Sequence, residues 1–308
     1  MKIIEVVPYN PNWPSAFEVE AAKIKQALGD NCLRVHHIGS TSVPGLDAKP
    51  IIDMIPVVLD ICAVDKLAME ALGYETMGEF GIPFRRHFTK GKDIRTHNVH
   101  VFEQGNLEIE RHLKFRDWMR NNPKDKDAYA NLKNSLAKKF PNDMMSYWLG
   151  KEEFISSIDI KAGWDGIKLV IALTPREWKE YHRIRREQIF VPINVVYDEN
   201  HPSLTAENNF HFVLYKGTKI VCVAHVEFLN KNEVAIRSLA TDEPYKRNGY
   251  GAYMMKMIEK WIKSQGRDAI KIHVNPNAEH FYRSLGFIDI EFDDVSISKE
   301  TIDLGKIL

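Results

Sequence analysis

The chain has 308 residues, enough for two domains of ordinary size. Its 42 Lys and Arg balance 42 Asp and Glu, so no net field draws it to nucleic acid or to a membrane surface, and neither is expected as a partner. With 44% hydrophobic and 27% charged residues, the composition is that of a globular chain rather than a disordered one.

No apolar run approaches the roughly 18 residues of a membrane span, and the stretch from Met1 to Pro8 is too short for a signal peptide. Cys32, Cys62 and Cys222 are scattered without metal-type spacing, so a reduced, cytoplasmic location is the expectation.

Residues 3–7 read as a first strand. A helix follows over 14–28, with Phe17, Ala21, Ile24 and Leu28 on one face and Gly29 as its stop. A strand over 33–38 runs into a loop over 39–50. The next strand takes 51–59, where Pro56 implies a bend or a place near a sheet edge. The loop is rich in glycine and small hydroxyl residues, which can wrap an anion with main-chain N–H groups, and Asp53 projects beside it.

The runs His37–Leu46 and Lys49–Asp53 resemble the GrpB family. The likeness continues to about residue 160 through 97–101, 115–118 and the helix 129–140. It implies a nucleotidyltransferase-like fold, a mixed sheet with helices. There Gly39, Ser40, Thr41, Ser42 and Lys49 would hold nucleotide phosphates, and Asp53 would stand where that fold places a metal-binding carboxylate. The fold's Asp-x-Asp pair is incomplete, because Ile51 and Ile55 flank Asp53. Glu103 is the other acid at hand, and no metal ligand set is assigned. A nucleotide- or phosphate-binding domain is therefore expected, with Mg2+-dependent nucleotidyl transfer as the alternative.

His97 and His100 fall on opposite faces of their strand, so at most one shares a side with Asp53. Arg85, Arg86 and His87 read either as a solvated cluster or as phosphate partners opposite the Gly-Ser loop, and so do Arg111, His112, Lys114 and Arg116. Helices over 126–140 and 144–157 bury Tyr129, Leu132, Leu136, Tyr147, Trp148 and Phe154. The pattern breaks at Gly163 and Gly166, which separates a domain over 1–162 from one over 167–308.

The second domain opens with a strand over 169–173 and a strong helix start, with Thr174 as cap, Pro175 at the first helical position and Glu177 closing a capping box. That helix is read to about 189, followed by a long loop to 209. A hairpin over 210–215 and 220–229 leads to a strand over 234–241. Next comes the turn Tyr245-Lys-Arg-Asn-Gly-Tyr-Gly-Ala252, which opens a helix burying Met254, Met255, Ile258, Trp261 and Ile262. Strand, glycine turn and helix together leave main-chain N–H groups free at a helix start, where phosphate esters bind. Ile270, Ile272 and Val274 then alternate as a strand. A short helix carries Ala278, Phe281, Tyr282 and Leu285, and stops at Gly286.

Two of these runs, Lys246–Gly251 and Asn275–Phe287, resemble the pyrophosphate loop and the Asn-x-x-Ala-x-x-Phe-Tyr-x-x-x-Gly-Phe signature of the GNAT superfamily of acyl-CoA N-acyltransferases. Lys246 departs from the usual Arg or Gln. The likeness implies a GNAT fold with acetyl-CoA as cofactor and a small-molecule or peptide primary amine as acceptor. Lys246, Arg247, Asn248, Gly249, Tyr250, Gly251 and Ala252 would hold the pyrophosphate. Leu239, Ala240 and Thr241 would hold the pantetheine arm and polarise the thioester, with Asn275 and Phe281 alongside. Tyr282 would protonate the departing thiolate, and Glu227, on the same strand face as His225, is the first choice of base, ahead of Glu233. The whole chain thus reads as α/β (α+β) in two halves, an N-acetyltransferase joined to a phosphate-binding domain. A sensor that holds CoA or nucleotide without chemistry is the rival reading.

Overall fold

Trp13, Phe17, Ala21, Ile24 and Leu28 recur at helical spacing and bury one face of α1 (Trp13–Leu28) against the first of two mixed sheets. The computed structural model describes residues 3–92, 94–294 and 300–308, and the chain divides into two units between Lys168 and Leu169.

The first unit holds β1 (Cys32–Ile38), β2 (Ile52–Val58), β3 (Tyr74–Thr76), β4 (Arg86–Lys90) and β5 (His97–Glu103) in the order β1-β2-β5-β4-β3. Only β2 and β5 run parallel. α1 and α2 (Lys66–Ala71) share a core with Met54, Val58, Val99 and Val101 on one face. On the other, Ile55, Val57 and Phe102 meet Ile109 and Leu113 of α3 (Leu107–Asn121). Three helices complete the unit, α4 (Pro123–Lys139), α5 (Met144–Leu149) and α6 (Glu152–Lys161).

Several expectations change here. Residues 3–7 make one isolated bridge, Val7 to Ala48, because no strand lies alongside them. Pro56 lies inside the sheet on β2. The ladder to β5 is interrupted there, between the pairs Met54–Val99 and Val57–Phe102, since proline offers no N–H. The helix read over 144–157 is two helices broken at Gly150, where an added Cβ would stand 2.5 Å from the Leu136 side chain. Arg85 and His87 are buried rather than solvated, and β4 starts at Arg86.

The second unit holds β6 (Ile167–Ile171), β7 (Asn209–Lys216), β8 (Lys219–Phe228), β9 (Glu233–Thr241), β10 (Ala269–Val274), β11 (Ile288–Asp289) and β12 (Ile302–Ile307) in the order β11-β12-β10-β9-β8-β7-β6. On one face α8 (Tyr250–Ser264) buries Trp261 among the rings of Phe210, Phe212 and Phe228. On the other, Trp178 and Tyr181 of α7 (Pro175–Arg185) lie against His211. The capping box of Thr174 and Glu177 is formed. α7 ends at Arg185, and residues 186–190 continue as a π-turn instead of the α-helix read to 189. α9 (Glu279–Ser284) follows a short turn capped by Asn275.

Candidate functional site

In the second unit, β9 and β10 pair in parallel from Glu233–Ala269 to Ala235–Lys271 and then diverge. On its other edge β9 carries a bulge. His225 faces Ser238 and Val226 faces Ile236, which leaves Arg237 as the extra residue. A wedge opens between the two strands, and Leu239, Ala240 and Thr241 lie along its β9 side with no β10 partner.

Past Thr241 the chain turns through Lys246 and Asn248 to Gly249, which holds a left-handed backbone with φ +79° at the start of α8. The neighbouring Arg247, at φ +62°, shares that uncommon conformation. No side chain caps the first N–H groups of α8, so they stand ready for an anion. An added Cβ at Gly249 would meet nothing within 4 Å, whereas at Gly251 it would lie 3.4 Å from Thr241 Oγ1 and 3.5 Å from Phe281 Cζ. Thr241, Gly251 and Phe281 therefore share one neighbourhood, with Tyr250 and Ala252 in the first turn above it. The Asn248 amide donates to the Tyr245 and Lys246 carbonyls and shapes the turn. Lys246 is engaged by Glu243 at 2.6 Å. The Asn275 side chain accepts from Asn277 N–H, so it holds the turn before α9. Arg183 of α7 grips both Asp242 carboxylate oxygens at 3.0 and 2.8 Å, and this fixes the head of the turn.

Tyr282 is buried between Phe281 and Phe287, near Cys222 of β8. Burial raises its phenol pKa, so at neutral pH it holds its proton. Glu227 sits on the opposite sheet face. Arg237 Nε donates to it at 2.6 Å and Asn208 at 3.3 Å, while Arg237 also binds Asp294. A base role for Glu227 requires that pair to open. Strand parity in the sequence does not show a different imidazole on the same face, His273. Its Nδ1 is 2.8 Å from Asp303 of β12, its ring stacks on Phe292, and its buried Nε2 has no partner. The His-Asp spacing of 30 residues gave no signal.

In the first unit the Gly39–Ser42 turn lies directly over Asp53, for an added Cβ at Gly39 would stand 2.5 Å from Asp53 Oδ2. Thr41 and Ser42 are spent on the turn itself, donating to the Ile51 and Gly39 carbonyls. Asp53 accepts from Asn98, its register partner on β5. Burial raises the Asp53 pKa, against the lowering pull of Asn98, Lys49 and Lys151. Glu103 pairs with Val58 at the far end of β2, five residues from Asp53, and accepts from Ile61 N–H. Among the described residues no group of three or more His, Cys, Asp and Glu could hold a metal. The residues present do not fit a two-metal centre, since an amide stands beside Asp53 where a second carboxylate is needed.

Residues 3–161 match the family model described as GrpB protein, just over half of the chain. The chain belongs to the GrpB family. UPF0157 protein YqkA of Bacillus subtilis (strain 168) is 45% identical over 161 residues, covering 52% of this chain and 47% of that protein. UPF0157 protein PA4798 of Pseudomonas aeruginosa is 42% identical over 161 residues, covering 50% of this chain and 66% of its own. The chain thus spans about half the length of the first of these relatives and about two thirds of the second. The crystal structure of conserved protein GrpB from Enterococcus faecalis covers 51% of this chain and 96% of its own at 46% identity, with a TM-score of 0.50. Residues 172–287 match the Acetyltransferase (GNAT) family, so the second unit carries an acyltransferase domain.

Within the GrpB unit the loop lies near one buried and two half-buried cations. Lys133 of α4, 2% exposed, donates to Ser40 Oγ at 2.9 Å and to the Asp47 carbonyl, and lies over the Tyr129 ring. Lys49 and Lys151 both stand over the Tyr147 ring, at 5.2 and 4.7 Å. Burial, reinforced by Lys151, brings the Lys133 pKa down to about 7. Burial and then Lys49 bring Lys151 down to about 8. Among the described residues none of the three forms an ion pair with a carboxylate. Arg85, His87, His100 and His112 lie elsewhere, in a buried polar layer under α3. There Arg85 contacts His100 at 3.2 Å, so that cluster does not serve the loop. His97 is on the α1 side, over Tyr74. Arg116 and Arg120 bind the His37 and Ser42 carbonyls from outside.

Proposed function

We propose that the protein transfers an acetyl group from acetyl-CoA to a primary amine in the wedge between β9 and β10. The observation that carries this reading is the wedge ending in an uncapped helix start, with Gly251, Thr241 and Phe281 gathered at its mouth. Acetyl-CoA supplies the activated thioester; the chain's own residues do the rest. Main-chain N–H groups of α8 and its turn receive the pyrophosphate, and main-chain groups of 239–241 hold the arm and carbonyl.

A lysine-like amine is almost wholly protonated at pH 7, a penalty of roughly 4–5 kcal/mol on attack. His273 Nε2, kept in the accepting tautomer by its Nδ1–H bond to Asp303, takes that proton. As the amine nitrogen bonds to the carbonyl carbon, the C–S bond breaks and Tyr282 gives its proton to the thiolate. In this reading His273 and Tyr282 act from opposite sheet faces, which separates the acceptor from the departing thiol.

Calorimetric titration of acetyl-CoA tests this. Micromolar binding to the intact protein, abolished in Gly249→Asp, is expected. No heat with the intact protein would sink the reading.

A second reading concerns the GrpB unit. Lys133 at Ser40, with Lys49 and Lys151 over Tyr147 and none of the three in an ion pair with a carboxylate among the described residues, supports binding of a phosphate-bearing ligand without metal-dependent transfer. The rival in which both units only sense ligands predicts no effect of Tyr282→Phe on any transfer assay.

A further inference from the structure

Arg185, the last residue of α7, is 6% exposed and forms no ion pair among the described residues. Its guanidinium carbon lies 5.1 Å from the Tyr181 ring, 5.7 Å from Phe190 and 5.4 Å from Tyr197. Its Nη1 donates to Tyr197 Oη at 3.4 Å and its guanidinium also hydrogen-bonds the Tyr181 side chain, while buried Nε has no partner. A buried cation in aromatic surroundings with open donors is a state that folded chains avoid unless an anion completes it.

The imidazoles nearby do not change that balance. His211 Nε2 donates to the Ser203 carbonyl, so its Nδ1 accepts from the Tyr181 hydroxyl. Its pKa is lowered to about 4, first by burial. His225 is lowered to about 2, by burial and then by His211 and Arg185. Both are neutral at pH 7, which leaves one uncompensated positive charge. Arg237, further along this face, is bound by two carboxylates, Glu227 and Asp294.

The location points at the acceptor. Tyr181 contacts His211, His211 pairs with His225 across β7 and β8, and His225 pairs with Ser238 beside the bulge. The Ser238 hydroxyl is also buried without a partner. Two unfilled polar groups therefore lie on the α7 face of the sheet, next to the strand that edges the wedge. We infer that the acyl acceptor is a small amine that also carries a carboxylate, the chemistry of an amino acid, and that Arg185 receives that carboxylate. The planar guanidinium matches a carboxylate in fork geometry. This inference rests on the acetyl-transfer reading and deepens it.

The test compares amino acids with their carboxamides as acceptors, in the intact protein, Arg185→Gln and Arg185→Lys. Acceptors with a free carboxylate are expected to be preferred. Arg185→Gln should raise their KM by about 30-fold or more, with a smaller change in kcat and none for the carboxamides. Arg185→Gln should also unfold no earlier than the intact protein, because an unpaired buried charge has been removed. Equal use of acid and amide, or an equal loss on both, overturns the inference while acetyl transfer stands. Should no amine turn over, calorimetry with N-acetylated amino acids and their amides in the presence of CoA decides it. Selective binding of the acid, lost in Arg185→Gln, upholds the Arg185 site although the transfer reading fails. Equal binding or none overturns it.

Discussion

Lys133 offers a quantitative test of the GrpB unit. Its ammonium group is enclosed by Ser40, the Asp47 carbonyl and the Tyr129 ring, and its pKa falls from 10.5 to about 7. That gap corresponds to roughly 5 kcal/mol held against the charged form in the folded chain. The folded state binds this proton less tightly than the unfolded state, so the unfolded chain holds more protons between pH 7 and 10.5. Stability must rise with pH across that window. From pH 7 to 9 the linkage gives about 2 kcal/mol from this one group. In Lys133→Met that contribution is absent, and groups common to both proteins cancel in the comparison. Denaturant unfolding at pH 7 and pH 9 should therefore show intact protein gaining about 2 kcal/mol relative to the variant. An anion seated beside Lys133 would restore its pKa. Inorganic phosphate should then bind with proton uptake near pH 8, read from calorimetry in buffers of different ionisation enthalpy, and Lys133→Met should lose that uptake. Parallel pH dependence of stability in the two proteins would refute the placement of this charge. Phosphate binding without proton exchange would refute its role.

Gly39→Ala should lower stability by about 2 kcal/mol or more in urea unfolding, since φ is +68° and the new Cβ would stand 2.5 Å from Asp53 Oδ2. An unchanged midpoint would mean the turn relaxes freely. In the acyltransferase unit, Tyr282→Phe should lower kcat by on the order of 100-fold with acetyl-CoA affinity kept, and His273→Gln should lower kcat by a comparable factor. An unchanged kcat in His273→Gln would return the base role to Glu227 or to water.

Local patterns carried much of the fold into view. The capping box at Thr174, the glycine turn at 249–251 and the alternation along β10 depend on neighbours in sequence, and the strands and helices built on them lie where the periodicity puts them. The binding surfaces were less legible because they are assembled over long distances. Lys133 meets Ser40 across 93 residues, and in its own helix it looks like any solvated cation. Arg185 reads as one charge among many in a helix of Arg and Glu, and only packing by Phe190 and Tyr197 isolates it. β3 and β4 were hidden for another reason. β3 has three residues, and β4 (Arg-His-Phe-Thr-Lys) has a single apolar side chain although all five are wholly or partly buried, which defeats a polar-out pattern.

The five-residue turn at 186–190 has a consequence for how such an enzyme diversifies. A π-turn holds one residue more than an α-helical turn, so a single deletion there would return the helix to its ordinary phase. Everything after it would rotate by about 100°. α7 would stay anchored, because Arg183 clamps Asp242 before the turn begins. The wall bearing Phe190 and Tyr197 can thus be re-aimed by one codon while the turn before α8 keeps its geometry. Related chains that differ in length at this one place would be the ones to compare for different acceptors.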